Sequence, residues 1–351
     1  MKKILALVLA LALVATFAAC GGAKEAEYKL GMGINVSLDS SADAADDKDA
    51  VAQADATVAT VVLDAEGKIV AADLDCAQTK VSVSADGKVT VDGVDLRTKK
   101  EKKEDYNMKD TSAKMGNIES GAEWYEQAAA YAQKMIGKTA ADIKALETKE
   151  SNGHQVAVDA DLFAVCTMDI TSFKAAFVAA CEDAQAKTFT AAADAFKLGL
   201  AVNTSVADST DKADDKNATA ALYSTFSAVV VDAEGKVLAA VADAIQPKVE
   251  VADGKIAAKT YKATKRVLKE GYNMKDTSAK MGNIEGGAEW YEQAAAYTDK
   301  MVGKTAADVK AIKTKESNGH NVADDADLFA VCTMDVTAFN ADLVEAIEAA
   351  K

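Results

Sequence analysis

The chain has 351 residues, half of them hydrophobic, with 27% charged and a formal net charge of −15. That length suits two domains of roughly 150 residues each, and the hydrophobic share lets each bury a core, although alanine supplies much of it. An acidic surface repels phosphate backbones, and no basic patch with interleaved aromatics offsets it, so nucleic acid is excluded as a partner.

The chain opens with Met1-Lys2-Lys3, an apolar run from Ile4 to Ala19, and Cys20-Gly21-Gly22. Residues 1–19 read as a secretory signal peptide, too short for a spanning helix of ~20 residues. The order Phe17-Ala18-Ala19-Cys20 resembles the lipobox of bacterial lipoproteins. The resemblance implies cleavage before Cys20, a lipid on its sulfur, a tether over 20–27, and a location outside the cytoplasm on the outer face of the cell membrane. No later stretch is apolar enough to cross a bilayer. Of the remaining cysteines, Cys76, Cys166, Cys181 and Cys332, no two form a CxxC pair, and Cys166 and Cys332 occupy equivalent positions in a duplication; buried free thiols are preferred over disulfides.

The duplication is direct. Lys29 matches Lys197 and Asp64 matches Asp232 at an offset of 168; Tyr106 matches Tyr272, His154 matches His320 and Thr167 matches Thr333 at an offset of 166. Repeat domain one spans 28–185, a connector covers 186–195, and repeat domain two spans 196–351. Two copies are too few for a solenoid. Tyr106–Gln127 recurs at Tyr272–Gln293 with one change, Ser120 to Gly286. So little drift signals either a shared constraint or a recent duplication.

In each copy the first half reads as strands. Lys29–Leu38 is an apolar run, and the Asp/Ala/Ser-rich segment 40–55 reads as a loop. Thr57–Leu63 turns through Asp64-Ala65-Glu66-Gly67 into Lys68-Ile69-Val70, and Val81–Ser84 turns through Asp86-Gly87 into Lys88–Val91. The second half reads as helix. Trp124, Ala128, Tyr131 and Met135 share one face of a helix ending at Gly137, and Thr139 with Asp142 caps a second. After a loop at Asn152-Gly153-His154, Leu162–Met168 reads as a strand leading into a helix near Thr171. The class is α+β: two tandem domains, each an antiparallel sheet of hairpins packed with two or three helices.

The two histidines, His154 and His320, bring no second histidine or cysteine, so metal is not expected. They also lack a nucleophile elbow or a neighbouring cysteine, which disfavours a hydrolase. Leu30-Gly31-Met32-Gly33 does not extend to GxGxxG. Trp124 and Trp290, beside Tyr125 and Tyr291, are either core anchors or flat walls for an aromatic ligand. In the second case Lys109, Lys114, Lys275 and Lys280 meet an anionic group; otherwise they are plain surface lysines.

The Asp-x-x-Gly and Asp-Gly turns, the Tyr-x-Met-Lys segment, Glu-Trp-Tyr-Glu-Gln, Gly-Lys-Thr and Asp-Ala-Asp-Leu together resemble the FMN-binding-domain lipoproteins of Gram-positive bacteria. That group is similar to the flavinylated lipoproteins of extracellular electron transfer. The resemblance implies FMN joined through its phosphate to a threonine by a flavin transferase, at Asp-x-x-Ser/Thr-Gly-Ala-Ser/Thr. Asp161 to Thr167 and Asp327 to Thr333 keep that aspartate–threonine spacing without the central Ser-Gly-Ala. A strand threonine is the plain alternative. The cofactor-binding candidates are therefore Thr167, Thr333, Asp161, Asp327, Trp124, Trp290, Tyr106, Tyr272, Lys109 and Lys275. The implied role is an extracytoplasmic electron carrier with redox partner proteins, its redox chemistry residing in the flavin. The rival is a non-catalytic surface lipoprotein that binds a small ligand or a protein partner.

Overall fold

A computed structural model describes residues 24–114, 118, 120–281 and 283–350. The segment read as a signal peptide, Cys20 and part of the repeated block (115–117, 119 and 282) lie outside the described residues. The first copy runs β1 (Glu25–Ser37), β2 (Ala50–Leu63), β3 (Ile69–Val83), β4 (Val89–Thr90), α1 (Lys99–Lys102), α2 (Lys109–Lys114), α3 (Trp124–Met135) and α4 (Ala140–Lys144). It continues through β5 (Thr148–Ser151), β6 (His154–Ala157), α5 (Ala160–Phe163) and α6 (Thr171–Cys181). After β7 (Lys187–Ala192), the second copy repeats the scheme with β8 (Lys197–Ser205), β9 (Ala218–Ala221), β10 (Tyr223–Val231), β11 (Val237–Ile245), β12 (Lys248–Ala252) and β13 (Lys255–Thr260). Its second half holds α7 (Lys265–Leu268), α8 (Lys275–Met281), α9 (Trp290–Asp299), α10 (Ala306–Lys310), β14 (Thr314–Ser317), β15 (His320–Ala323), α11 (Ala326–Phe329) and α12 (Thr337–Ala349). The fold is α+β, with antiparallel sheets and two similar halves.

The expected turns form where their glycines stand: Gly67 and Gly87 take positive φ and close the hairpins on either side of β3. β3 is one strand of 15 residues, so the two predicted hairpins share it. The segment read as a loop over 40–55 divides differently. Residues 50–55 belong to β2, where Ala50, Ala52 and Ala54 are buried at alternate positions; small side chains carry a weak hydrophobic signal, yet the pleat still points every second one inward. In the second copy the strand matching β3 is broken into β11 and β12 at Pro247, the chain's single proline, which has no N–H for the ladder.

The two halves are fused. On β2, Ala59, Val61 and Leu63 face the helices α3 and α6, while Ala56, Val58 and Val62 face the other copy; β10 does the same with Val229 and Val231 on one side and Phe226, Ala228 and Val230 on the other. The result is four layers, helix, sheet, sheet, helix. Burial on both faces explains why Thr57–Leu63 reads as a nearly continuous apolar run. The 186–195 segment, read as a connector, contributes β7, which pairs with β1 and completes the five-stranded sheet β4-β3-β2-β1-β7. Gly31 and Gly199 let helices sit directly on the sheet: a Cβ there would run into the carbonyl oxygens of Ala180 and Ala346.

The contact between copies is reciprocal. Ala44 N–H donates to Gly254 O at 2.7 Å and its equivalent Lys212 N–H to Gly87 O at 2.8 Å; Ile256 N–H donates to Asp43 Oδ1 and Val89 N–H to Asp211 Oδ1, both at 2.7 Å. Such mutual exchange is the signature of an isologous interface. A group of bonds around Arg266 and Lys187 breaks the symmetry. Arg266 of α7 reaches Asp183 after α6 at 3.0 Å, with both side chains 8% exposed, and also donates to Gln185 O at 3.0 Å.

Asp342 on α12 departs from its first-copy counterpart, Ala176. It is fully buried, Oδ1 accepts from Asn203 Nδ2 at 2.5 Å, and Oδ2 meets no partner among the described residues. Burial pushes its carboxyl up to about 7 from an ordinary 3.8, against hydrogen bonds from Thr225 and Asn203. The folded state thus holds this proton more tightly than the unfolded state does, so stability is greatest at low pH and is lost as pH rises from about 4 through about 7. Asp342→Asn is expected to raise stability at pH 8 by on the order of 2–4 kcal/mol and to change little at pH 4, as read from melting temperature against pH.

Candidate functional site

The repeated block is organised by two side chains, Glu123 and Gln127, with Glu289 and Gln293 in the second copy. Glu123 is the N-cap of α3 and forms a capping box with Glu126, whose carboxylate accepts the Glu123 N–H at 2.8 Å. The Glu123 carboxylate, 5% exposed, also accepts Met108 N–H at 2.8 Å and Lys109 N–H at 3.2 Å, which fastens the start of α2 to the start of α3. Glu289 makes the same bonds to Met274 and Lys275, at 2.8 and 3.2 Å. Gly121 is required here: its φ is +65°, and a Cβ would strike the carbonyl oxygen of Lys109.

Gln127 is fully buried and all its capacity is used. Its Nε2 donates to Ser112 Oγ at 3.2 Å and Ala122 O at 3.0 Å; its Oε1 accepts both the Thr167 N–H, at 2.9 Å, and the Thr167 hydroxyl, at 3.2 Å. Gln293 repeats this with Ser278 at 3.1 Å, Ala288 at 3.0 Å, and Thr333 at 2.9 and 3.2 Å. Buried polar groups need partners, and this knot supplies them. It gives the repeated block a folding reason for its sameness.

The sequence candidates separate around the knot. Thr167 and Thr333 are 5% and 4% exposed and committed to glutamine. Leu162–Met168 is not a strand. Asp159 caps the short helix α5 by accepting the Leu162 N–H at 2.8 Å, and the chain closes with Cys166 N–H on Leu162 O at 2.9 Å, so Leu162 and Cys166, four apart, both point inward. Asp161 and Asp327 therefore lie on exposed first turns while the threonines lie inside. Lys109 and Lys275 are exposed, and Tyr106 and Tyr272 are half-buried against the helix-side cores. Trp124 and Trp290, 3% and 4% exposed, are core anchors, with Trp124 edge-on to Phe173 at 5.8 Å and Trp290 tilted on Phe339 at 5.7 Å. Cys76, Cys166 and Cys332 are free and buried, and Cys181 is free and half-buried.

Two lysines went unnoticed in the sequence. Lys99 Nζ stands over Tyr106 at 5.1 Å and Trp124 at 5.6 Å; Lys265 Nζ stands over Tyr272 at 4.6 Å and Trp290 at 5.3 Å. The signal was present in the repeated Thr-Lys pair, Thr98-Lys99 and Thr264-Lys265, where threonine caps a short helix and sets the lysine in its first turn. Beside them lie buried Asp75 and Asp243, each pushed up to about 6 by burial, and each receiving backbone N–H bonds, from Cys76 and Lys100 or from Ala244 and Arg266.

The residues do not fit a threonine-linked flavin as folded. Both threonines are buried and donate to glutamine, and each tryptophan is packed by a lysine and a phenylalanine, Lys99 and Phe173 at Trp124 and Lys265 and Phe339 at Trp290. A cleft of about 410 Å³ in the second copy is lined by Asp327 with Lys300, Lys304, Asp308 and Lys313, but it contains neither Thr333 nor Trp290. Among the described residues no group of three histidine, cysteine or acidic side chains could hold a metal, and no helix is long and apolar enough to cross a membrane. Comparison with family models, curated proteins and solved structures finds no match to the chain.

Proposed function

We propose that this chain is a non-catalytic lipoprotein of the cell envelope, anchored by lipid on Cys20, whose fused body presents two equivalent surfaces to a polar ligand or protein partner. The supporting observation is a second segment repeated without change, Thr148–His154 at Thr314–His320, which is exposed along its length except at the half-buried Ser151 and Ser317. Each copy forms a hairpin, β5–β6 or β14–β15, held to the body by a lysine over a phenylalanine: Lys149 on Phe163 at 5.0 Å and Lys315 on Phe329 at 4.8 Å. Core packing does not account for the sameness of exposed side chains, whereas engaging one partner twice does.

The flavin carrier is the second reading. It is favoured by the recurrence of the aspartate–threonine spacing in both copies, and it requires Thr167 and Thr333 to leave Gln127 and Gln293. The two readings part on a visible spectrum and intact mass of the mature chain made with and without a flavin transferase. The binding reading expects a colourless chain with no added FMN mass that ignores free FMN. A yellow chain would overturn it, and added FMN mass that is lost with Thr167→Val and Thr333→Val would favour the threonine-linked carrier.

A further inference from the structure

We propose that the cleft of about 410 Å³ in the second copy binds a small acidic amino acid, its lysines taking the two carboxylates of the ligand and Asp327 the ammonium. The cleft follows α10, with Lys300 and Lys304 before that helix and Lys313 after it, and the first turn of α11 adds Asp327. Two apolar side chains join the lining: Leu328 is buried and Ile312 is half-buried. A volume of this size falls in the range of about 300–1,000 Å³ that small-molecule sites occupy. The cleft is distinct from the repeated hairpins, so it stands or falls independently of the function proposed above.

The charges that line the cleft divide into committed and spare groups. Asp308 accepts the Thr305 N–H at 2.8 Å and its hydroxyl at 2.7 Å, Asp325 accepts the N–H groups of Asp327 and Leu328, each at 3.0 Å, and Asp324 pairs with Lys315 at 3.5 Å. Among the described residues the side chains of Lys300, Lys304, Lys313 and Asp327 make no hydrogen bond or ion pair. The cleft therefore offers spare cations at both ends of α10 and a spare carboxylate at α11. An acidic amino acid matches that set through charge-assisted bonds, with its methylenes against Leu328 and Ile312. The overall charge of −15 does not forbid an anion here, because exposed charges more than about 10 Å away are largely screened at 0.1 M salt. The first copy supplies a contrast in the same molecule. Lys134, Lys138 and Asp161 match Lys300, Lys304 and Asp327, but Glu147 stands where the second copy has Lys313, so one cationic end is reversed in sign.

The test is equilibrium dialysis of the mature chain against L-glutamate, succinate or L-alanine. One glutamate per chain is expected, held at least about tenfold more tightly than succinate, which lacks the ammonium, or L-alanine, which lacks the second carboxylate. Asp327→Asn should bring glutamate down to the level of succinate. Lys313→Glu, which installs the first-copy residue, should weaken glutamate at least about tenfold. Lys310→Glu makes the same charge change on α10 outside the cleft and should leave the Kd within about twofold. All three positions are exposed, so the fold is retained. No binding at millimolar glutamate, equal affinity for the three probes, or equal losses from Lys310→Glu and Lys313→Glu would each overturn the proposal.

Discussion

Gln127→Ala is expected to destabilise the protein by about 3–5 kcal/mol. The substitution removes four hydrogen bonds at once and leaves the Thr167 N–H and hydroxyl and the Ser112 hydroxyl buried without a partner, together with the half-buried Ala122 carbonyl. Each stranded buried group costs about 1–3 kcal/mol, and partial repair by water or side-chain rotation keeps the total below the sum. Gln293→Ala should act alike, through Thr333 and Ser278. Thr167→Val, by contrast, deletes only the hydroxyl and leaves the N–H bond, so it should cost about 1 kcal/mol. Denaturant unfolding checks the ordering. A Gln127→Ala loss no larger than that of Thr167→Val would show the knot to be unimportant.

Arg266→Ala is the second large effect. The guanidinium ties the two copies together through Asp183 and Gln185, both partners are 8% exposed, and removing the cation strands a buried carboxylate. Breaking such a pair costs about 3–5 kcal/mol. Asp183 also accepts the Met32 N–H at 3.1 Å, so an uncompensated charge there disturbs the edge of β1 as well. Arg266→Lys should recover only part of the loss, since one ammonium cannot serve both the carboxylate and the Gln185 carbonyl with the geometry of a guanidinium. The counterpart in the first copy, Lys100, bonds Asp73 within its own half at 2.5 Å, so Lys100→Ala should cost far less. If unfolding of Arg266→Ala matched that of Lys100→Ala, the ion pair would not be a bolt between the halves.

Much of the local structure was legible because the signals were local. Gly67 and Gly87 mark turns that need positive φ, Thr139 and Asp142 form the capping box expected of them, and Trp124, Ala128, Tyr131 and Met135 repeat at helical spacing. The joining of the halves was not legible, since an apolar run such as Thr57–Leu63 is consistent with burial on both faces but does not name what covers the second face. The strand over 50–55 and β7 escaped for a related reason: alanine, threonine and lysine carry little hydrophobic contrast, and their pairing partners are distant in sequence. Leu162–Met168 was taken for a strand because an apolar run of that length fits either state, and the deciding feature was the Asp159 cap.

The site was legible as a location more than as chemistry. The repeated block and Thr167 do meet, but through Gln127, a residue whose polar character in an alanine-rich helix was the available clue. Trp124 drew notice as an aromatic wall, whereas its burial with Phe173 and the cover provided by Lys99 make it an anchor. Lys99 and Lys265 were overlooked because lysine in a charged segment reads as surface, and only the fold brings two rings beneath each ammonium.

Amide hydrogen exchange at Thr167 and Thr333 tests the central claim most directly. Each N–H donates to a buried glutamine oxygen outside any helix or sheet ladder, so nothing but the knot protects it. Both amides are expected to exchange only through global unfolding, and Thr167 alone should lose protection in Gln127→Ala. Exchange in the native chain as fast as that of an exposed loop would contradict the account, because it would mean that the threonines are free of the glutamines and open to solvent.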